Sequence, residues 1–109
     1  MIVYGMFDPA VATPATAKFL ETYKAAYNEE PSAWAALGYD AGMTLGAAVE
    51  MAAKDGPLSR ENLNAAFGKL KDVPGVTGPT TFDPSGDRAG SLYFLSVANG
   101  KFGLAPKQP

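Results

Sequence analysis

The feature that most constrains this chain is a long apolar run near its middle. From Ala33 to Ala53 the clearly polar side chains are Asp40, Thr44 and Glu50. Ser32 can cap a helix before this run, and Asp55-Gly56-Pro57 stops it, which predicts a helix over about 32–54. Ala and Gly supply much of the apolar character, and each mid-span carboxylate costs about 2.5–3.5 kcal/mol in a bilayer. We therefore expect this helix to be buried against a sheet instead of spanning a membrane.

Two further helices flank the apolar one. Thr13-Pro14 is typical of a helix start, and apolar side chains recur every four residues as far as Tyr27, which predicts a helix over about 14–27. Ser59 is a good cap for a third helix, in which Leu63, Phe67 and Leu70 form an apolar stripe that ends near Lys71-Asp72.

Extended segments are predicted at the two ends of the chain. Ile2 to Met6 is a short apolar run closed by Asp8-Pro9, which favours a strand leading into a loop. Ser91 to Val97 is rich in aromatic and β-branched residues, and Asn99-Gly100 is typical of a two-residue hairpin turn. The predicted fold class is α/β, in the order strand, three helices and a C-terminal β-hairpin.

So small a sheet covers the apolar helix poorly. One N-terminal strand and one hairpin would leave a large hydrophobic surface exposed. We therefore expect residues 1–109 to be a segment that packs on a missing N-terminal part or on a second chain. The N-terminus, Met1 to Gly5, lacks the basic region and long apolar run of a signal peptide, so we expect any such peptide to precede these residues.

Composition excludes several classes of function. The chain has 109 residues with neither cysteine nor histidine, so Ser-His and Cys-His catalysis and the usual zinc sites cannot be assembled from it alone. Its formal net charge is −2 and its nine Lys and Arg are scattered, which disfavours nucleic-acid binding.

Three motifs resemble a known family. Tyr39-Asp40-Ala41 follows Pro31 and a row of small residues, Gly75-Val76-Thr77-Gly78 precedes an Asp-rich turn from Thr81 to Arg88, and a final hairpin runs from Tyr93 to Phe102. In this order they are similar to the closing part of type I periplasmic binding proteins of the branched-chain amino-acid ABC transporter family. The resemblance implies roughly the last third of a two-lobed protein, with the helices largely in one lobe and the segment from Gly75 to Asp87 crossing back through the hinge.

The resemblance also implies a function. Family members bind amino acids or similar small organic solutes between the lobes and pass them to an ABC permease. We therefore expect a solute-binding component of an importer, with no catalysis and no cofactor, in the periplasm or as a cell-surface lipoprotein in a Gram-positive cell. An oligomerising module that buries helix 32–54, without a small-molecule ligand, is the alternative. A fragment of an enzyme with carboxylates such as Asp8 or Asp40 ranks last, because nothing selects them for acid-base work.

Four residues are predicted to contact the solute. Tyr39 is the first, because the resemblance places an aromatic residue near the start of this helix at the ligand, although an ordinary core tyrosine is the competing interpretation. Asp40 beside it points about 100° away and has a structural alternative. Phe7 and Asp8 follow the first strand, at the edge where ligands of open α/β sheets bind, and Asp8 equally suits a turn. Trp34 is a further candidate that could stack on a ligand, but packing at the start of the apolar helix is the favoured interpretation.

A metal site is not predicted. Asp83, Ser85 and Asp87 alternate like calcium-loop ligands, but glycine falls at the fourth position and Phe94 at the twelfth, where a glutamate is required. We expect an Asx-type turn instead. Gly75 to Gly78 likewise lacks the lysine and remaining glycines of a phosphate loop.

Overall fold

A computed structural model describes residues 1–11, 13–90 and 92–106. The elements follow one another as β1 (Ile2–Gly5), α1 (Pro14–Tyr27), α2 (Ala33–Asp55), α3 (Arg60–Lys69), β2 (Thr81–Phe82), β3 (Arg88–Ala89), β4 (Tyr93–Ala98) and β5 (Lys101–Leu104). The predicted strand, three helices and hairpin are therefore present. Ser91, the first residue of the predicted hairpin strand, lies outside the described residues.

The helix boundaries follow from side-chain caps. Thr13, Ser32 and Ser59 are extended, and each accepts a hydrogen bond from the backbone N–H three residues on, at 3.1–3.3 Å. Such a bond satisfies one of the donors that a helix start leaves unpaired. No helix in the described ranges has the length and apolarity needed to cross a membrane.

The larger sheet has strand order β1-β4-β5 and is antiparallel throughout. Ile2 pairs with Ser96 across β1 and β4, so the sheet joins both ends of the described chain. Asn99 and Gly100 form the turn between β4 and β5, with φ values of 53° and 73°. Positive φ at both central residues is what a tight type I′ hairpin requires, and Asn-Gly adopts it readily.

The helices form a second unit. One buried cluster contains Ala48 and Ala52 of α2 with Ala66 of α3 and Leu70. The short β2-β3 hairpin lies against α3, where Phe82 packs edge-on against Phe67 with ring centroids 5.8 Å apart. We call α1, α2, α3, β2 and β3 the helical unit, and β1, β4 and β5 the sheet unit.

The two units are spread out. The radius of gyration is 16.2 Å, whereas a compact domain of this length has about 13 Å. The strands of the sheet unit make their main contacts with one another, and large apolar side chains stay exposed on it, among them Ile2, Tyr4, Phe94 and Phe102. Two connections join the units, one from Met6 to Thr13 and one following Ala89.

The segment from Gly75 to Asp87 does not cross between the units. Val76 and Thr77 are hydrogen-bonded to α2, and Phe82 packs on α3, so this segment belongs to the helical unit. The prediction that it forms the hinge crossing is wrong. The passage comes later, after β3, because these contacts hold the chain on the helices as far as Arg88.

Candidate functional site

Phe7 and Asp8 lie directly after β1, where the first connection enters the helical unit. Phe7 is buried and packs edge-on against Phe19 of α1, with ring centroids 6.0 Å apart. The buried Asp8 carboxylate accepts a 2.7 Å hydrogen bond from the backbone N–H of Ala10. This bond is the Asx-type turn that competed with a ligand role for Asp8.

Tyr39 meets the same aromatic side chain from the other direction. Its ring lies 5.0 Å from that of Phe19, and 39% of the residue is exposed. Within the described residues its hydroxyl makes no side-chain hydrogen bond to the protein. Tyr39 is therefore a partly exposed residue at the edge of the core, and its contact with a solute stays a prediction.

Phe19 brings the predicted site residues together. It is 2% exposed and touches both Phe7 and Tyr39, so the loop after β1 and the first half of α2 converge on one ring. Tyr23 and Tyr27 continue the aromatic row along α1. The ring centroids of Phe19 and Tyr23 are 5.7 Å apart, and those of Tyr23 and Tyr27 are 4.7 Å apart. A groove of about 270 Å³ follows this row, lined by Phe19, Thr22, Tyr23, Tyr27, Ala35 and Tyr39.

Partial desolvation raises the pKa of Tyr23 at the centre of the groove. The carboxylate of Glu29 raises that pKa further, since it accepts a 3.4 Å hydrogen bond from the Tyr23 hydroxyl. The Tyr23 phenol therefore stays neutral at physiological pH. The groove thus combines aromatic faces with one acidic rim.

Asp40 faces away from this groove. It is 4% exposed, and its carboxylate accepts hydrogen bonds from the N–H of Val76 at 2.7 Å, the N–H of Thr77 at 2.8 Å and the hydroxyl of Thr77. Both carboxylate oxygens are therefore used within the protein, which supplies the structural role that competed with solute contact. Contact between Asp40 and a solute stays a prediction.

Trp34, in the first turn of α2, is 80% exposed. The sequence favours packing of Trp34 at the helix start over stacking on a ligand. Within the described residues, however, nothing packs over the indole. The side chain is therefore open to another part of a larger protein or to a ligand.

The Asp-rich turn holds itself together. One oxygen of Asp83 accepts hydrogen bonds from the Ser85 hydroxyl, the Ser85 N–H and the Asp87 N–H, at 2.7–3.0 Å. The Ser85 hydroxyl, and after it the Asp87 N–H, hold the pKa of Asp83 below its ordinary value. The geometry is that of an Asx turn. No cluster of acidic residues in the described ranges could hold a metal ion.

Sequence reasoning missed the buried polar residues around Gly75 to Gly78. Thr77 is fully buried, and Arg88 of β3 donates hydrogen bonds to the hydroxyls of Thr77 and Thr80, at 2.8 and 2.9 Å. The available signal was Gly75. A Cβ there would lie 2.6–2.8 Å from the carboxylate of Asp40, which means that only glycine fits beside that group.

Comparison with known proteins shows which family has this fold. The periplasmic binding protein family matches residues 1–101. A leucine-binding protein, LivK of Thermotoga maritima, is 33% identical, with a TM-score of 0.83 over 97% of this chain and 30% of its own length. LivJ of Streptococcus pneumoniae, a branched-chain amino-acid transporter substrate-binding protein solved with isoleucine, is 32% identical, with a TM-score of 0.79 over 93% of this chain and 28% of its own.

A third structure agrees with these two. An ABC transporter substrate-binding protein of Desulfitobacterium hafniense, solved with Leu, is 26% identical, with a TM-score of 0.81 over 95% of this chain and 30% of its own. The chain thus spans about 30% of the length of these relatives. No curated protein matches the chain significantly.

The predicted fold class is confirmed, because the strand, helices and hairpin superpose on part of a type I periplasmic-binding-protein fold. The matching family consists of periplasmic or extracellular solute-binding proteins and not of enzymes. With a family match over residues 1–101 and identities above 30%, this chain belongs to the periplasmic binding protein family, alongside the leucine- and isoleucine-binding receptors of branched-chain amino-acid transport.

Proposed function

We propose that this chain is part of an ABC-importer receptor that recognises an amino acid or a similar small organic solute, and that Tyr39, Phe7 and Asp8 contribute one wall of its site. The observation that carries the proposal is the convergence of Phe7 and Tyr39 on Phe19. This contact brings a loop after a strand and a partly exposed tyrosine to one place. Two relatives were solved in complex with isoleucine and with Leu, which supports the solute class.

The roles of the wall residues follow from their exposure. Tyr39 offers a phenol hydroxyl to a carboxylate or ammonium group, while its ring stays fixed by Phe19. Phe7 and Asp8 are buried and hold the loop in shape. Trp34 is the most exposed aromatic side chain of α2 and extends the apolar surface available to a solute.

Exposed apolar surface supports the proposal that the chain works inside a larger receptor. On α2, Met43 and Leu45 are 51% and 46% exposed. Gly38, Gly42 and Gly46 lie on the same helix, and a Cβ at any of them would meet no atom within 4 Å. Such a surface suits a close-packed neighbour. In the proposed receptor this neighbour corresponds to the remaining length of the relatives, of which this chain covers about 30%. The receptor would deliver its solute to an ABC permease, in the periplasm or at the cell surface.

Calorimetry tests the solute proposal. A chimera would carry residues 1–101 in place of the matching part of the Thermotoga leucine-binding protein, and would be titrated with aliphatic, aromatic and acidic amino acids. We expect binding of at least one member, and a loss of about three- to tenfold in affinity for Tyr39→Phe, which removes one hydrogen-bonding hydroxyl. Tyr4→Phe, an exposed tyrosine on β1 outside the groove, is the matched control and should bind normally. A folded chimera that binds no member would contradict the proposal.

Sedimentation of the 109-residue chain separates the receptor from the oligomerising module. Exposed apolar surface on an incomplete receptor predicts weak, concentration-dependent association, whereas the module predicts a compact dimer. A well-behaved monomer with cooperative unfolding would count against both.

A further inference from the structure

Both connections between the sheet unit and the helical unit are anchored on one turn, Gly75 to Gly78. The first connection carries Phe7, which lies in one buried cluster with Val76 of this turn, Phe19 and Ala36. The second connection leaves from Arg88, whose guanidinium donates a 2.8 Å hydrogen bond to the hydroxyl of Thr77 in the same turn. Two adjacent residues of the turn are therefore linked to the two connections, Val76 to the first and Thr77 to the second.

The second connection also touches the guanidinium directly. A Cβ at Gly90 would lie 3.3 Å from the Arg88 Cζ, so the chain leaving β3 runs over the Arg88 side chain. Arg88 donates a further hydrogen bond to the hydroxyl of Thr80 at 2.9 Å. The direction in which the chain leaves β3 is thus coupled to where Arg88 is held.

Asp40 links the turn Gly75 to Gly78 to α2. The N–H groups of Val76 and Thr77 donate to the Asp40 carboxylate, and the Thr77 hydroxyl donates to it as well. That hydroxyl stands between two opposite charges, because it donates to Asp40 and accepts from Arg88. Hydrogen bonds to charged groups in a dry interior are strong and directional, which makes this link stiff.

We propose that Asp40, Thr77 and Arg88 are positioning residues that fix the directions in which both connections leave the helical unit, and hence the angle between the two units. Loss of the Thr77 hydroxyl would leave the two N–H bonds to Asp40 in place. It would remove the 2.8 Å hydrogen bond from Arg88 and leave only the bond to Thr80 and two longer ones to backbone carbonyls, so that Arg88 and the second connection would be held less firmly. If the chain acts as the receptor proposed above, the same three residues bias the opening and closing of the two lobes around solute.

Distance measurements between spin labels test the proposal without any solute. The chain contains no cysteine, so two introduced cysteines are labelled uniquely. Ala25→Cys on α1 and Ala98→Cys on β4 are both exposed and report the separation of the units. We expect a narrow distribution in the parent, a broadened and shifted one in Thr77→Val, and recovery of the parent distribution in Thr77→Ser, which restores the hydroxyl.

A second label pair distinguishes positioning from general loosening. Ala25→Cys and Ala53→Cys both lie in the helical unit, and their distance should stay unchanged in Thr77→Val. Broadening of this pair as well would overturn the proposal, and so would an unchanged separation of the units.

Arg88→Gln keeps the bonds between Asp40 and Thr77. This variant tests the positioning proposal if Thr77→Val does not fold. It should broaden the separation of the units, whereas Arg60→Gln, an exposed arginine on α3, should not. An unchanged distribution in Arg88→Gln would overturn the proposal. Failure of the receptor proposal in calorimetry would leave these distances unaffected, so the two ideas can fail separately.

Discussion

The carboxylate of Asp40 on α2 accepts a 2.7 Å hydrogen bond from the backbone N–H of Val76, 36 residues further along the chain. Thr77 adds its own N–H and its hydroxyl to the same group. A buried carboxylate needs several such donors, because an unpaired one is costly away from water. This network is therefore the main polar attachment between the apolar helix and the C-terminal part of the helical unit.

Asp40→Asn should destabilise the chain strongly. The amide keeps one acceptor oxygen but turns an NH₂ group toward donors of Val76 and Thr77, so we expect a loss of about 2–4 kcal/mol in the free energy of unfolding. Urea denaturation followed by circular dichroism measures it. Asp55→Asn, which breaks an exposed ion pair with Lys69, is the control and should cost less than about 1 kcal/mol. Equal effects of the two substitutions would contradict the network's importance.

Gly75→Ala and Gly42→Ala should change stability in opposite directions. A Cβ at residue 75 collides with the Asp40 carboxylate, so this variant should lose about 1–3 kcal/mol. A Cβ at residue 42 meets nothing within 4 Å, and alanine in a helix interior should gain about 1 kcal/mol in the isolated chain. Thermal unfolding of both variants checks the pair, and a stabilising Gly75→Ala would show that Asp40 can move aside.

Phe19→Ala should unfold the first part of the helical unit. Phe19 is buried and joins Phe7, Tyr23 and Tyr39, so its removal should cost about 3–5 kcal/mol. Phe102→Ala removes a ring that is 67% exposed on β5 and should change the free energy by no more than about 0.5 kcal/mol. Near-ultraviolet circular dichroism reports the aromatic row directly. If its signal survived Phe19→Ala, the row would not depend on this ring.

The Asp83 turn should weaken in acid. Because its pKa is lowered in the folded chain, Asp83 contributes stability above its unfolded pKa, and this contribution is lost as the pH falls through the folded pKa. Carboxyl carbon NMR should show Asp83 titrating below the ordinary aspartate range. Ser85→Ala removes the largest cause and should move the pKa of Asp83 upward, whereas Ser96→Ala on β4 should not. An unmoved pKa in Ser85→Ala would contradict the assignment.

Local signals in the sequence predicted the elements well. Thr13, Ser32 and Ser59 cap the helices because capping depends on residues three apart, and Asn99-Gly100 forms the hairpin turn because both residues tolerate positive φ. The convergence of Phe7 and Tyr39 on Phe19 agrees with placing both near one wall. Whether that wall contacts solute stays a prediction.

Polar contacts between residues far apart in the sequence could not be predicted from it. Asp40 and Thr77 lie 37 residues apart, and neither carries a local pattern that names its partner. The same gap explains the misplaced hinge crossing. Gly75 to Gly78 has the composition of a connection, but the carboxylate of Asp40 holds it on the helices. Trp34 is exposed because the described residues include nothing that packs over it.

The pairing of β1 with β4 has a consequence for the order of folding. Ile2 meets Ser96 only after a loop of more than ninety residues has been closed, and the entropy of that closure is paid before any strand contact is gained. The β4-β5 hairpin closes over two residues and can form early. We therefore expect β1 to dock late, once the helices have shortened the distance between β1 and β4. Until then the edge of β4 that faces β1 is unpaired, and these residues would be most prone to aggregate in that interval.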